Sequence, residues 1–252
     1  MYPLIDHEHQ IIFFYSPKCA CTSIKIYYAS ICTCYKNLEI TNIHRNIGPL
    51  KENEIIDIDQ YTNYKKLWIA RNPYDRLVSG FLYLLNNFVT YVYRTLPDQK
   101  FAGWFGKRYM KNQDINKSYQ QIIEYKNHPS FRNFVKILLT IDIKTANKHI
   151  SLQSLPYFCH VLNKSNFDEI VNIRYLNDRL HKLNEELGVS GNITISNITH
   201  FNDDTTHICD VNIIEYTKQH NKTYPRYQYF YDNEIKADVD KIYHEDFLFI
   251  DF

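Results

Sequence analysis

Two short apolar runs, each closed by a turn that opens a helix, constrain this chain more than any other feature. Gln10–Tyr15 reads QIIFFY and stops at Ser16-Pro17, and Leu67–Ala70 reads LWIA and stops at Arg71-Asn72-Pro73. An unbroken β-rich apolar run is the pattern of a strand buried on both faces, as in a parallel sheet covered by helices. Each run is followed by a helical pattern. The first extends from Thr22 to about Ile31; the second sets Leu77, Val78, Phe81, Leu84, Leu85 and Phe88 on one face. Asn72 suits the cap of the second helix, and Pro73 its first position, where a missing N–H costs nothing.

The pattern recurs further along. Leu38–Ile43 and Glu169–Arg174 read as strands. Phe131–Thr140, Leu176–Leu187 and Asn233–Tyr243 read as helices, the middle one stopping at Gly188. Met1–Gln10 reads as polar, and Asp246–Phe252 as an apolar tail. Phe101–Lys126, polar and aromatic, reads as an insertion or lid. Repeated strand–turn–helix units predict an α/β class with a P-loop-like, three-layer arrangement: a central, mainly parallel sheet flanked by helices. With 252 residues, 44% of them hydrophobic, and no evident boundary, a single domain over 1–252 is expected.

Charge narrows the function. Lys plus Arg total 29 and Asp plus Glu 28, so no global basic field exists and a bulk nucleic-acid partner is not expected. The longest apolar stretches are broken by Asn, Asp or Arg, and no leading apolar run resembles a signal peptide. The expectation is a soluble, cytoplasmic chain without a membrane span. The six cysteines include two Cys-x-Cys pairs, spaced more tightly than structural zinc ligands usually are. They read as free thiols, and no metal is expected. The 22 tyrosines could stack on sugars, but each one reads first as packing.

The chemistry concentrates at the two turns. Ser16-Pro17-Lys18-Cys19-Ala20-Cys21-Thr22-Ser23 joins a strand to a helix N-terminus, where first-turn N–H groups and the helix dipole favour an anion. Lys18 adds a point charge, and Thr22 and Ser23 add hydroxyl donors. The logic is that of a P-loop, yet the G-x-x-x-x-G-K-[ST] pattern is missing. Arg71 lies at a strand's carboxyl edge, where ligands of open α/β sheets bind, and a guanidinium fork there suits a phosphate. Arg76 could do the same or pair with a carboxylate. Ser79 follows about two helical turns on.

SPKCACTSIK resembles the 5′-phosphosulfate motif of Golgi-type carbohydrate sulfotransferases, and WIARNPYDRLVSGF resembles their 3′-phosphate motif. The likeness extends to NKHISLQ (147–153), which is similar to a His-x-x-x-Gln region, and to VNIRYLNDRLHKLNEELG. It is nearest the carbohydrate-4-sulfotransferase-like branch. Asn72 replaces the commoner acidic residue, and Arg174-Tyr175 stands where Phe-Glu is usual.

This resemblance implies 3′-phosphoadenosine-5′-phosphosulfate (PAPS) as co-substrate, adenosine 3′,5′-bisphosphate (PAP) as product and a glycan hydroxyl as acceptor. Pro17, Lys18, Cys19, Ala20, Cys21, Thr22 and Ser23 would hold the 5′ end, and Arg71 and Ser79 the 3′-phosphate. Lys18 would stabilise charge on the leaving oxygen. The base is His44, which follows the expected second strand, or His149, in the His-x-x-x-Gln segment. The alternatives are a P-loop-type nucleotide kinase and a non-catalytic glycan-binding protein on a degenerate fold. The acceptor would meet loops carrying Lys107, Arg108, Arg226 and Tyr227.

Overall fold

The computed structural model describes residues 1–35, 43–47, 57–86, 96–111, 113–155, 164–194 and 201–250. It contains two compact units: Met1–Asn72 with Gln153–Ile198 and Phe249–Phe252, and Pro73–Leu152 with Thr199–Leu248. The units interleave along the chain, so no linker separates them and no compositional boundary marks either.

The first unit holds a four-stranded sheet in the order β1 (Tyr2–Asp6), β2 (Ile11–Tyr15), β3 (Lys65–Ala70), β4 (Glu169–Asn172). β2, β3 and β4 are parallel, with Phe13 beside Leu67 and Ile69 beside Val171. β1 is antiparallel to β2, pairing Tyr2 with Tyr15 and Asp6 with Ile11. The α/β expectation, with its mainly parallel sheet, therefore holds. The polar reading of Met1–Gln10 does not: Tyr2–Asp6 is an edge strand, a position that tolerates Pro3. The buried Asp6 carboxylate closes the hairpin by accepting from the backbone N–H groups of Glu8 (3.0 Å) and His9 (3.2 Å).

Alternation along the strands divides the core between the two faces of the sheet. Ile11, Phe13, Tyr15, Leu67, Ile69 and Val171 face α1 (Cys21–Ile31) and the helix Leu176–Leu187. Ile12, Phe14, Trp68 and Ala70 pack with Met1, Ile58, Phe167 and Ile250. Each large apolar side chain buried this way contributes about 1.5–3 kcal/mol before entropy is counted. All three parallel strands end at one edge of the sheet. Ser16–Ala20, Arg71 and Ile173–Tyr175 emerge there.

The strand expected at Leu38–Ile43 lies outside the described residues except for Ile43. That residue instead opens the short helix α2 (Ile43–Asn46).

The second unit is helical. α3 (Pro73–Asn86) starts at the expected proline and buries Leu77, Val78, Phe81 and Leu84; Phe88 lies outside the described residues. Phe101–Lys126, read as polar and irregular, is largely helical among its described residues. It forms the helix Asp98–Phe105, a π-helical turn at Gly106–Met110 and the helix Tyr119–Asn127. Its aromatics are spaced for packing: Phe101, Phe105, Tyr109 and Tyr125 are buried, and the Phe105 and Tyr109 rings meet at a tilt with centroids 4.5 Å apart. Burial pushes the Tyr109 hydroxyl up to about 12. Helices Phe131–Leu138, Ile213–Gln219 and Asn233–Ile242 also belong to this unit. Among the described residues, no helix is long and apolar enough to cross a membrane.

Candidate active site

The turn after β2 is built from conformations that L-residues rarely adopt. Lys18 has φ +70° and Ala20 φ +51°. Left-handed backbone costs about 1–2 kcal/mol per non-glycine residue, and such strain collects at ligand sites. Cys19 N–H donates to Ser16 O at 3.1 Å, closing the turn, and Ile24 N–H donates to Ala20 O at 3.0 Å, starting the ladder of α1. Ala20 occupies the N-cap without a capping side chain. The N–H groups of Cys21, Thr22 and Ser23 thus precede the i→i−4 ladder, as at any helix start. Pro17, Ser23 and Cys19 are buried, while Lys18, Ala20, Cys21 and Thr22 are half-buried.

Arg71 meets this turn directly. Its Nη1 donates to the Lys18 carbonyl at 3.1 Å. The two anchors read from sequence, 53 positions apart, are therefore one hydrogen bond apart. The fully buried Gln153 adds a second link: Arg71 N–H donates to its Oε1 (3.0 Å), and its Nε2 donates to Arg71 O (2.6 Å). Cys19 Sγ donates to the same Oε1 at 3.3 Å, and Ser16 Oγ to the Gln153 carbonyl at 2.8 Å. Cys19 is thus a packed donor. Cys19, Cys21, Cys32, Cys34 and Cys209 are free thiols, and Cys159 lies outside the described residues.

His44 reaches the turn by a route other than the one expected. It projects from α2 and not from the end of a described strand, and its Nε2 lies 2.8 Å from Thr22 Oγ1 in an exposed position. His149 belongs to the second unit. Its Nδ1 lies 2.9 Å from Asn147 Oδ1, and its ring stacks on Tyr83 at 4.3 Å. Ser79 is buried on α3 in that same unit. Arg76, also there, is buried and donates to the carbonyls of Ser151 (2.6 Å) and Lys148 (3.3 Å).

Two residues escaped the sequence reading. Gln153 was visible only as the end of NKHISLQ; its pairing with Arg71 is a tertiary fact. Lys25 closes SPKCACTSIK, is buried, and sets its Nζ 5.4 Å from the Tyr15 ring centroid. Beside the anchors, a cleft along β4 is lined by Asn72, Arg174, Tyr175, Arg179 and Lys182. Tyr175 stands 66% exposed at its mouth, unusual for an aromatic in this chain.

A model of the sulfotransferase family matches residues 3–252. The chain belongs to the sulfotransferase family. It is also 26% identical over 204 residues to carbohydrate sulfotransferase 11 of Mus musculus, an alignment covering 75% of this chain and 53% of that protein. The chain thus spans about half the length of the curated relative it matches. No solved structure matches it. The likeness to carbohydrate sulfotransferases read from the two motifs is borne out, and Lys18 of the first motif and Arg71 of the second lie at one edge of the sheet.

Proposed function

We propose that this chain transfers a sulfuryl group from PAPS to a hydroxyl of a carbohydrate by in-line displacement. The observation that carries the reading is the Arg71–Lys18 contact: groups suited to the two ends of a 3′,5′-substituted nucleotide share one hydrogen bond. The strained turn fits the 5′ end, since helix-start N–H groups and a lysine meet there. Arg71 fits the 3′-phosphate; Ser79 is assigned to it by its motif alone. The printed name of the mouse relative supports a carbohydrate as acceptor.

In the reaction, the acceptor oxygen forms a bond to sulfur as the bond from sulfur to the 5′-phosphate oxygen breaks. Lys18 holds its ammonium against the departing oxygen, where charge grows. His44 takes the acceptor's proton. Nε2 of a neutral imidazole has one lone pair, and Thr22 Oγ1 sits beside it. When Thr22 turns its hydroxyl to the 5′-phosphate, His44 Nε2 is left to accept from the incoming hydroxyl. His149, tied to Asn147 and Tyr83, is the rival base.

The test is transfer of labelled sulfate from PAPS to a panel of polysaccharides, small glycans and tyrosyl peptides. Label on a glycan, lost by at least about 100-fold in Lys18→Ala, is expected from the size of such electrostatic effects. Label only on tyrosyl peptides would overturn the acceptor class. Magnesium-dependent ATP hydrolysis without sulfate transfer would overturn the reaction.

A further inference from the structure

We propose that Gln153 is a positioning residue that sets the spacing between the two anion-binding anchors, and so the length of nucleotide the site accepts. The inference rests on the donor-site reading above. β3 ends at Ala70, one residue before Arg71. Gln153 bonds both the N–H (3.0 Å) and the carbonyl (2.6 Å) of Arg71, as a neighbouring strand would. The same carboxamide oxygen takes the Cys19 thiol at 3.3 Å, and the Gln153 carbonyl takes the Ser16 hydroxyl at 2.8 Å.

One buried residue therefore grips the turn at two points and Arg71 at two atoms. Only glutamine meets the three needs that fall on the side chain. A carboxamide offers lone pairs for Arg71 N–H and Cys19, and an N–H for Arg71 O. Glutamate would set an oxygen against Arg71 O; asparagine is one methylene too short; methionine matches the shape but has no N–H to give and only a weak sulfur acceptor, while the Ser16 bond, made to the backbone carbonyl, is kept in every variant. Bonds to the backbone of Arg71 fix where its guanidinium starts. Its Nη1 then spans to Lys18 O at 3.1 Å.

The test compares a two-ended ligand, PAP, with a one-ended ligand, adenosine 5′-monophosphate. Each is titrated calorimetrically into the wild-type chain, Gln153→Met and Gln153→Glu, with melting temperatures recorded alongside. Positioning predicts that the wild type prefers PAP and that this preference falls about tenfold or more in both variants, the order expected when buried bonds are broken. Affinity for the monophosphate should change less than about threefold, within the spread of indirect effects.

A purely structural role would lower both affinities together with the melting temperature, leaving their ratio intact, and would overturn the inference. Should Gln153→Met not fold, the ratio in Gln153→Glu decides. A wild-type chain that binds neither ligand would overturn the donor-site reading and this inference together. A wild type that prefers PAP, with variants sharing its ratio, would overturn the inference alone.

Discussion

At the residue scale, each side chain of the turn carries a separable expectation. In the proposed mechanism Lys18 faces growing charge, so Lys18→Ala should lower kcat and leave PAP affinity nearly unchanged. Arg71→Ala should do the reverse, weakening PAP by roughly 10–100-fold, as expected for a lost charge-assisted bond of about 1.5–3 kcal/mol. Steady-state kinetics and titration on the same preparations distinguish the two. For the base, His44→Asn should cut kcat by about 100-fold or more and His149→Asn by less than about fivefold, within the usual range of general-base effects. The opposite ranking would reassign the base to His149. The reason to favour His44 is its 2.8 Å approach to Thr22, a contact within one compact unit.

At the scale of elements, helix ends carry the sharpest backbone arguments. α1 begins at Ala20 in left-handed backbone, φ +51°. The helix Leu176–Leu187 ends at Gly188, φ +65°, whose N–H bonds back to the last turn. Glycine suits both conformations and alanine neither. Ala20→Gly should therefore raise stability by up to about 1 kcal/mol, and Gly188→Ala should lower it by about 1 kcal/mol. Denaturant midpoints at constant m-value measure both. Ala20→Gly should also loosen the turn and weaken PAP binding. A stabilised variant with unchanged binding would show that the strain does not serve the ligand.

Element reading from sequence succeeded where one pattern spoke alone. IIFFY and LWIA are runs too apolar for anything but buried strands, Pro73 announces a helix start, and Gly188 announces a stop. It failed where composition misled. Tyr2–Asp6 looks polar because its neighbours His7, Glu8, His9 and Gln10 are polar, yet it pairs with β2. Phe101–Lys126 mixes charge with aromatics, which reads as a loop until the helical spacing of Phe101, Phe105 and Tyr109 is seen in place. His44 was sought at a strand end, and it arrives on a helix.

At the scale of the whole molecule, ligand and acid act as probes. A ligand that binds only the folded chain stabilises it by about 2.7 kcal/mol at 100 times its Kd. For a chain of this length that is a rise of roughly 5–10 °C in melting temperature, readable by scanning fluorimetry with PAP. An absent shift would count against the donor site. The second unit contains a guanidinium clamp: Arg132 pairs with Asp210 (2.5 Å), Asp232 and Glu234 (2.7 Å). Hydrogen bonding from Arg132 holds the Asp210 carboxyl below its ordinary range. Burial would raise Asp232, but the Ile235 N–H and Arg132 outweigh it and lower it as well. A lowered folded-state pKa contributes stability above the unfolded value, near 3.9, and loses it as pH falls through the folded value. Thermal melts below about pH 4 should therefore decline more steeply for the wild type than for Arg132→Met, which has no such pairs to lose.

The chain's order of residues determined the buried strands, the helix starts and stops, the turn between β2 and α1 and the presence of an arginine directly after β3. These are local properties, set by side-chain volume, backbone freedom and charge within a few positions. Tertiary structure decided what those pieces do together. The Arg71 guanidinium reaches Lys18 O, Gln153 joins Arg71 to Ser16 and Cys19, His44 lies against Thr22, and the buried Arg76 holds the carbonyls of Ser151 and Lys148. Sequence could not settle these because each is a contact across tens of positions. Which buried polar groups must find one another depends on how the sheet edge folds, and on nothing nearby in the chain.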